Sequence, residues 1–406
     1  MHPLEGIRVV DMTTMINGPV AAMLLSDMGA EVIKIEPPDG DPWRPMIGGF
    51  LAYNRGKRAI SVNMKKEEGK EIAYKLIAKA DVLVENARWG VWHRLGLDYE
   101  TVSKLNPSLI YLTVTGHGTS GPFSKLPGYD PLLQARSGHM VGQGGKDQPP
   151  NYHIIAINDV ASPMLGAYGV ALALLQRKRT GKGQHVTMSL TNAAISLQAM
   201  EFMDYPGMEH INKGGDHLIG LNATARHYQT SDERWLMLYC PREKHWQGLC
   251  RSMGLDDLLS DPRFETPEKR AENDSALAEI LEKAFQEKPS EHWLDNLLRA
   301  DVPVSLGLIN EELLQDPHCL ENDFLVESDH PILGRVRHHG ITPRFSDMTG
   351  IIRRTSPLLG EHTIEVLTEL GYTEEEIDKL LEEKVIFPVE DIEEYLLLMA
   401  TTQVTE

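Results

Sequence analysis

Asp159 is the side chain whose place in the sequence best suits covalent chemistry. It stands in the stretch INDVASP, ahead of an apolar run, Met164–Leu175, that predicts a buried helix with Ser162 as its N-cap and Pro163 at its first position. The positive end of that helix favours an ionised carboxylate, and an ionised, partly shielded carboxylate can act as a nucleophile. An aspartate ahead of a helix is more often a cap or turn residue, so this stretch alone leaves both roles open.

Strands and helices alternate through the first half of the chain. Ile7–Asp11, Ala30–Glu36 and Ala80–Asn86 are rich in β-branched residues and predict short buried strands, and Ile154–Ile157 predicts a strand end before Asp159. The alternation predicts an α/β fold on a doubly wound, mostly parallel, Rossmann-like sheet. Ligands bind at the carboxyl ends of such strands, which selects the polar residues that follow them: Asn17, Arg44, Asn86, His117 and Asp159.

After Leu190 the alternation gives way to glycine-containing loops, short strands and charged helices, which predict a smaller α+β domain. A chain of 406 residues is long enough for two domains. The predicted boundaries are 1–203 plus 331–388 for the large domain, 222–325 for the small domain, 204–221 and 326–330 for linkers, and 389–406 for a C-terminal tail.

Composition narrows the class of partner. The formal net charge of −19 disfavours nucleic acid as a partner, because nucleic-acid binding needs a basic surface. Three scattered cysteines lack the spacing of a metal site and suit a reducing compartment. The N-terminus has no apolar signal core, and no run of 18 apolar residues occurs. We therefore expect a cytoplasmic protein with no metal and no membrane partner.

Stretches in the same order along nearly the whole chain resemble the class III CoA-transferases, or CaiB/BaiF family, which includes formyl-CoA transferase and carnitine CoA-transferase. They include PLEGIRVVDMTTMINGPVAAMLLSDMGAEVIKIEPP, TGKGQHVTMSL and PLLGEHTIEVLTELGYTEEEIDKL. The resemblance implies transfer of CoA from an acyl-CoA to a free carboxylic acid, with Asp159 as the nucleophile that forms an anhydride and then an aspartyl-CoA thioester. It implies no permanently bound cofactor, because CoA is a substrate.

The resemblance also places the contacts with CoA. Arg44 and Arg58 are further basic residues expected near the CoA phosphates, although each arginine could equally be a solvated surface charge. The implied contacts are Asn17, then Val62, Asn63, Met64 and Lys65 of a predicted strand, and Asn86, Arg88 and Arg94.

Two departures from the family pattern bear on function. The family includes 2-methylacyl-CoA racemases, the alternative function, and Tyr129 stands where they use a histidine base. A phenol with a pKa near ~10 is a poor base at neutral pH, so Tyr129 favours transfer and could donate a hydrogen bond to the acyl carbonyl; a shifted alignment onto His117 or His139 would restore a racemase. Gly214 and Gly215 are the candidates for the family's glycine-rich lid, or belong to an ordinary linker.

The family's dimers are interlocked, each chain passing through an opening in the other. The resemblance therefore implies an interlocked homodimer here, with two long linkers bridging two domains. A non-catalytic CoA-binding protein is the third hypothesis, and the retained Asp159 disfavours it.

Overall fold

Six short strands form one parallel sheet in the computed structural model, which describes residues 2–145, 148–208, 214 and 219–389. Their order across the sheet is β3-β2-β1-β4-β5-β6. Every neighbouring pair is parallel, which confirms the predicted doubly wound α/β fold. The strands are β1 Arg8–Met12, β2 Glu31–Glu36, β3 Arg58–Ser61, β4 Val82–Glu85, β5 Ile110–Thr115 and β6 Gln184–Ser189.

The strand order reverses between β1 and β4, which are adjacent in the sheet. At such a switch point the loops that follow the two strands diverge to opposite faces and leave a crevice at the carboxyl edge. The loop after β1 leads to Asn17, and the residue after β4 is Asn86. The topology therefore brings both predicted contacts to the crevice.

Helices cover both faces of this sheet. The α-helices of the described residues are α1 Asn17–Asp27, α2 Ile47–Asn54, α3 Glu67–Ala78, α4 Val91–Leu95, α5 Tyr99–Leu105, α6 Asp130–Arg136, α7 His139–Gly144, α8 Ile157–Thr180, α9 Leu190–Leu197, α10 Glu243–Met253, α11 Pro267–Glu272, α12 Asp274–Phe285, α13 Ser290–Arg299, α14 Asn310–Leu313, α15 Pro317–Glu321, α16 Thr363–Glu369 and α17 Glu374–Glu382. One buried cluster joins α1 and α8 to the sheet. A second joins α3 to the returning helices α16 and α17, because α3 turns Ile72, Leu76 and Ile77 to one side.

The helix that carries Asp159 differs from its prediction in three ways. It begins at Ile157, so Asp159 lies in its first turn and Pro163 lies inside it. The preceding Ile154 and Ile155 are not a strand end; their side chains are exposed. Nor is the helix buried on most faces, because only the stripe through Gly166 and Val170 packs inward. A uniformly apolar sequence does not reveal which side of a helix faces the sheet.

The predicted strand Val62–Lys65 is also corrected. β3 ends at Ser61; the N–H of Val62 still donates to the carbonyl of Glu36 on β2, and Val62 forms an isolated bridge to Ile386 in the returning segment. The next backbone N–H, of Asn63, donates to the carbonyl of Val385, and Asn63 then accepts from Lys65 in a turn. The C-terminal segment therefore takes up hydrogen bonds that would continue this strand.

The described chain forms two compact units. The larger contains Met1–Met140, Asn151–His210 and Pro317–Glu406, and the smaller contains Val141–Pro150 and Ile211–Asp316. Within the larger unit, β11 Leu325–His330 and β12 Gly334–His339 form a separate hairpin. The smaller unit has an antiparallel sheet packed on α10, α12 and α13, as the α+β prediction requires. Its strands are β7 Gly220–Asn222, β8 Ala225–Gln229, β9 Trp235–Tyr239 and β10 Val304–Leu306.

Candidate active site

Asn17 and Asn86 meet at the switch point of the sheet. The side-chain amide of Asn86 donates to Asn17 Oδ1 over 2.5 Å and to the carbonyl of Thr14 over 2.7 Å, and Asn86 Oδ1 accepts from the N–H of Thr14 over 2.9 Å. Gly18, the residue after Asn17, lies where the chain turns tightly back on Thr13. A Cβ added to Gly18 would lie 2.3 Å from the Cβ of Thr13, so a larger residue does not fit. The two asparagines therefore form one fixed polar unit.

Asp159 is linked to this unit through Asn17, whose side chain lies close enough to the Asp159 carboxylate to lower its pKa. The backbone N–H of Asp159 and that of Asn158 both donate to Oδ1 of Asp130, over 3.2 and 2.8 Å. Ala156, the N-cap residue of α8, offers no side-chain acceptor of its own. Asp130 therefore caps α8 from another helix, and the cap fixes the turn that carries Asp159.

The pKa of Asp159 is shifted in the direction opposite to the one that the helix end alone predicts. Burial, and next the negative charge of Asp130, raise the pKa of Asp159 to about 7, while the Asn17 side chain acts in the opposite direction. A carboxylate with this pKa is half ionised at neutral pH. It is also more basic than an ordinary carboxylate, which favours nucleophilic attack.

Asp130 is the functional residue that sequence reasoning missed. Its side chain is buried, and its second oxygen accepts a hydrogen bond from Gln134, one turn along α6. Gln134 also bonds to the carbonyl and the N–H of His153, each over 3.1 Å, which ties down the segment leading to α8. Asp130-Pro131 opens a helix, and this is the same local signal that drew attention to Asp159.

Tyr129 immediately precedes α6, and its side chain is 59% exposed. The residue before it, Gly128, packs directly against Gly116, because a Cβ on either would lie 2.4 Å from the Cα of the other. This close contact fixes Tyr129 beside the end of β5. A tyrosine in this place is open to a substrate and adjacent in the chain to the residue that caps α8.

Arg88 and Arg94 line one cavity of about 450 Å³. Lys125, which the sequence analysis did not select, is the third cation of the cavity, and Trp89 lies between the arginines along the chain. Among the described residues, none that lines this cavity is acidic. Three cations and an indole suit the phosphates and the base of a nucleotide.

Arg44 and Arg58 have other partners. Arg44 is buried, binds Glu36 at two points over 2.6 and 2.8 Å, and stacks 4.0 Å over the ring of Phe50. Arg58 opens β3 at the amino edge of the sheet, opposite the crevice, where Glu365 and Glu369 bind it. We therefore leave both arginines out of the proposed CoA contacts.

The remaining predicted contacts lie in different surroundings. Val62 is fully buried, Asn63 and Met64 are half-buried, and Lys65 is exposed. Gly214 lies against the backbone of Gln143 within the smaller unit. A Cβ placed on Gly214 would lie 1.9 Å from the carbonyl oxygen of Gln143, so the position has no room for a side chain. Gly215 lies outside the described residues, so the lid stays a prediction.

The family model described as CoA-transferase family III matches residues 4–363, which is most of the chain. The chain belongs to CoA-transferase family III. Relatives of this CoA-transferase include succinyl-CoA:glutarate CoA-transferase of Mus musculus, 34% identical over 395 residues, which cover 94% of this chain and 89% of the mouse protein. Acetyl-CoA:oxalate CoA-transferase of Acetobacter aceti is 36% identical over 337 residues, covering 80% and 86% of the two chains.

A solved structure of a CaiB/BaiF family protein from Brucella suis shares the fold of this CoA-transferase. The two align with a TM-score of 0.82 at 31% identity, over 91% of this chain and 99% of the other. Membership of the family and the shared fold agree with the resemblance noted in the sequence.

Arg94→Ala in this CoA-transferase is expected to raise KM for acyl-CoA about tenfold and to leave kcat nearly unchanged, because a phosphate contact binds ground and transition states alike. Steady-state kinetics with a varied acyl-CoA measures both constants. Arg299→Ala is the matched control, since Arg299 is an exposed arginine paired with Asp295 in the smaller unit. A lower kcat with unchanged KM would instead place Arg94 at the reacting atoms.

Proposed function

We propose that this CoA-transferase works through a covalent intermediate on Asp159. The ionised carboxylate attacks the thioester carbonyl of the donor acyl-CoA and expels CoA thiolate, which leaves an acyl–aspartyl anhydride. The thiolate then attacks the aspartyl carbonyl, which releases the donor acid and leaves an aspartyl-CoA thioester. The acceptor carboxylate attacks that carbonyl, expels CoA thiolate and forms a second anhydride. The thiolate then attacks the acyl carbon derived from the acceptor, which releases the new acyl-CoA and the free carboxylate of Asp159.

The observation that carries this proposal is the setting of Asp159. Asn17 lies beside its side chain, Asp130 holds its backbone, and burial keeps its pKa near neutrality. Tyr129 supplies a hydroxyl that donates to the developing oxyanion. In this proposal the cavity of Arg88, Arg94 and Lys125 holds the phosphates of CoA.

We propose a short dicarboxylic acid as the acceptor. The support comes from the names of relatives, which act on glutarate, oxalate and D-citramalate. The test incubates the protein with succinyl-CoA or acetyl-CoA and a panel of dicarboxylic and matched monocarboxylic acids, and reads the new CoA esters by mass. Products with dicarboxylic acids only are expected; esters formed equally well from monocarboxylic acids would contradict this choice.

We also propose that the protein works as an interlocked homodimer in the cytoplasm, without nucleic acid or membrane. Among the described residues, α8 alone is long and apolar enough to span a bilayer, yet it packs on the sheet through Val170 and Leu174. A second chain that covers its outer side would explain the apolar side chains exposed there. These are Met164, Leu165, Tyr168, Leu172 and Leu175 of α8, with Ile195, Leu197, Met200 and Phe202 from α9 and beyond.

A further inference from the structure

The loop between β1 and α1, residues 13–16, is held by buried charges that the chemistry described so far does not use. The ammonium of Lys34, on β2, donates to the carbonyl of Thr13 over 2.6 Å. Oδ1 of Asp41 accepts the backbone N–H of Met15 over 3.0 Å. Lys34 and Asp41 also form an ion pair, 3.0 Å apart, and neither side chain is accessible to solvent. One buried pair therefore binds this loop at two points.

A second buried pair completes the support. Lys57 contacts Asp11 over 2.8 Å, and Oδ1 of Asp11 accepts the N–H of Thr13 over 3.0 Å. Lys57 also donates to the carbonyl of Pro19, in the first turn of α1. Removing such pairs from water is costly, and well-packed apolar residues often stabilise a core as well or better. Stability is therefore a weak explanation for two fully buried pairs beside one loop.

The loop has a backbone that needs external support. Met15 has φ of 67°, a left-handed conformation that costs a side chain other than glycine free energy unless its surroundings impose it. The N–H of Met15 is the group that Asp41 binds. Two residues further on, Asn17 begins α1, and its side chain lies near the Asp159 carboxylate, whose pKa it lowers. The ion pair is therefore connected to Asp159 through Met15 and Asn17, which belong to one short stretch of backbone.

We propose that Lys34 and Asp41 are positioning residues of CoA transfer, which hold the loop 13–16 in the conformation that brings the Asn17 side chain to the Asp159 carboxylate. The proposal rests on the proposed role of Asp159. It explains why charges lie beneath this loop: the ammonium donates to a carbonyl, and the carboxylate accepts an N–H, at fixed places that a packed apolar pair would leave unsatisfied.

The test is the double variant Lys34→Met/Asp41→Asn, which removes both charges together and leaves no unpaired one. We expect kcat/KM for acyl-CoA to fall about tenfold, because small displacements of a reacting group are costly. The pH midpoint of kcat/KM should rise by about half a pH unit, because an Asn17 side chain that moves away from Asp159 stabilises the ionised carboxylate less. Stability is followed by thermal unfolding of the same samples.

The matched control is Arg55→Met/Asp27→Asn, which removes another buried ion pair of the same unit, 2.7 Å long, that binds the segment around His338 and Gly340. It should lose stability without a change in the pH midpoint. Asn17→Ala should raise the midpoint by itself, and adding it to the Lys34/Asp41 variant should give little further rise, because both break one chain of contacts.

An unchanged kcat/KM and pH midpoint in a folded Lys34/Asp41 variant would overturn the proposal, as would the same midpoint shift in the Arg55/Asp27 control. If the double variant does not fold, Asp41→Asn alone is measured; it keeps an acceptor for Met15, and a smaller shift in the same direction is required. Failure of the proposed function is separate: it would appear as transfer by the Asp159→Ala variant, whatever the Lys34 variants do.

Discussion

Asp159→Ala is expected to abolish CoA transfer, to below about one per cent of the parent rate, because no other group in the proposed mechanism can carry the acyl intermediate. The fold should persist. The carboxylate lies at a half-buried helix end and caps nothing, since the N–H groups of that turn are bound by Asp130. Steady-state transfer and thermal unfolding measure the two effects.

Trapping the covalent intermediate with hydroxylamine tests the same role of Asp159 by a chemical route. Incubation with an acyl-CoA and hydroxylamine should convert Asp159 of the parent protein to a hydroxamate, found by mass spectrometry on its peptide. Asp274→Ala is the matched control, because Asp274 is also a half-buried aspartate in the first turn of a helix, where it accepts the N–H of Ala223 over 2.7 Å. That control should lose only stability. Activity above a few per cent in Asp159→Ala would refute the assignment.

Asp130→Ala should lower kcat/KM about a hundredfold, because it removes the acceptor of two N–H groups and frees the turn that carries the nucleophile. Asp130→Asn separates the positioning of Asp159 from the effect of the negative charge, because an amide oxygen can still accept both N–H groups while the charge is removed. Without the negative charge of Asp130, the pKa of Asp159 falls below its value of about 7. The ionised nucleophile then persists at lower pH.

The measurement for Asp130→Asn is kcat/KM for acyl-CoA from pH 5 to 9. In the parent protein it should rise with pH through about 7, as Asp159 loses its proton. In the variant the midpoint should lie about one pH unit lower, so the variant retains more of its maximal rate at pH 6. Asn17→Ala is the opposing control and should raise the midpoint. A midpoint that does not move in Asp130→Asn would show that another group limits the rate.

Local sequence patterns were enough to identify the parallel sheet and to select Asp159 as the candidate nucleophile, a role that stays a prediction. The strands β1, β2 and β4 follow from β-branched runs, and their alternation with helices leads to the doubly wound order. Asp159 stands out because a polar residue ahead of a long apolar run is a local signal. Arg88 and Arg94, which the resemblance selected as CoA contacts, line one cavity, and their contact with CoA stays a prediction.

The local sequence pattern did not show which charged side chains are buried. Arg44 and Arg58 look like exposed basic residues in loops, yet one is buried against Glu36 and the other opens a strand at the far edge of the sheet. Lys34 and Asp11 lie within predicted strands, and no local pattern distinguishes them from exposed strand residues. Whether a charged residue faces solvent or a buried partner depends on side chains from other strands, which periodicity does not show.

The sequence alone determined the strands β1, β2 and β4 and the long apolar helix beside Asp159, because hydrophobic periodicity and turn residues act over a few positions. Only the tertiary structure decided what surrounds that residue. Asn17 and Asn86 meet across 69 residues of sequence, and Asp130 reaches Asp159 across 29. Residues so far apart in sequence come together because the parallel strands place their carboxyl ends at one edge of the sheet. The burial and the neighbouring charge created there raise the pKa of Asp159 to about 7.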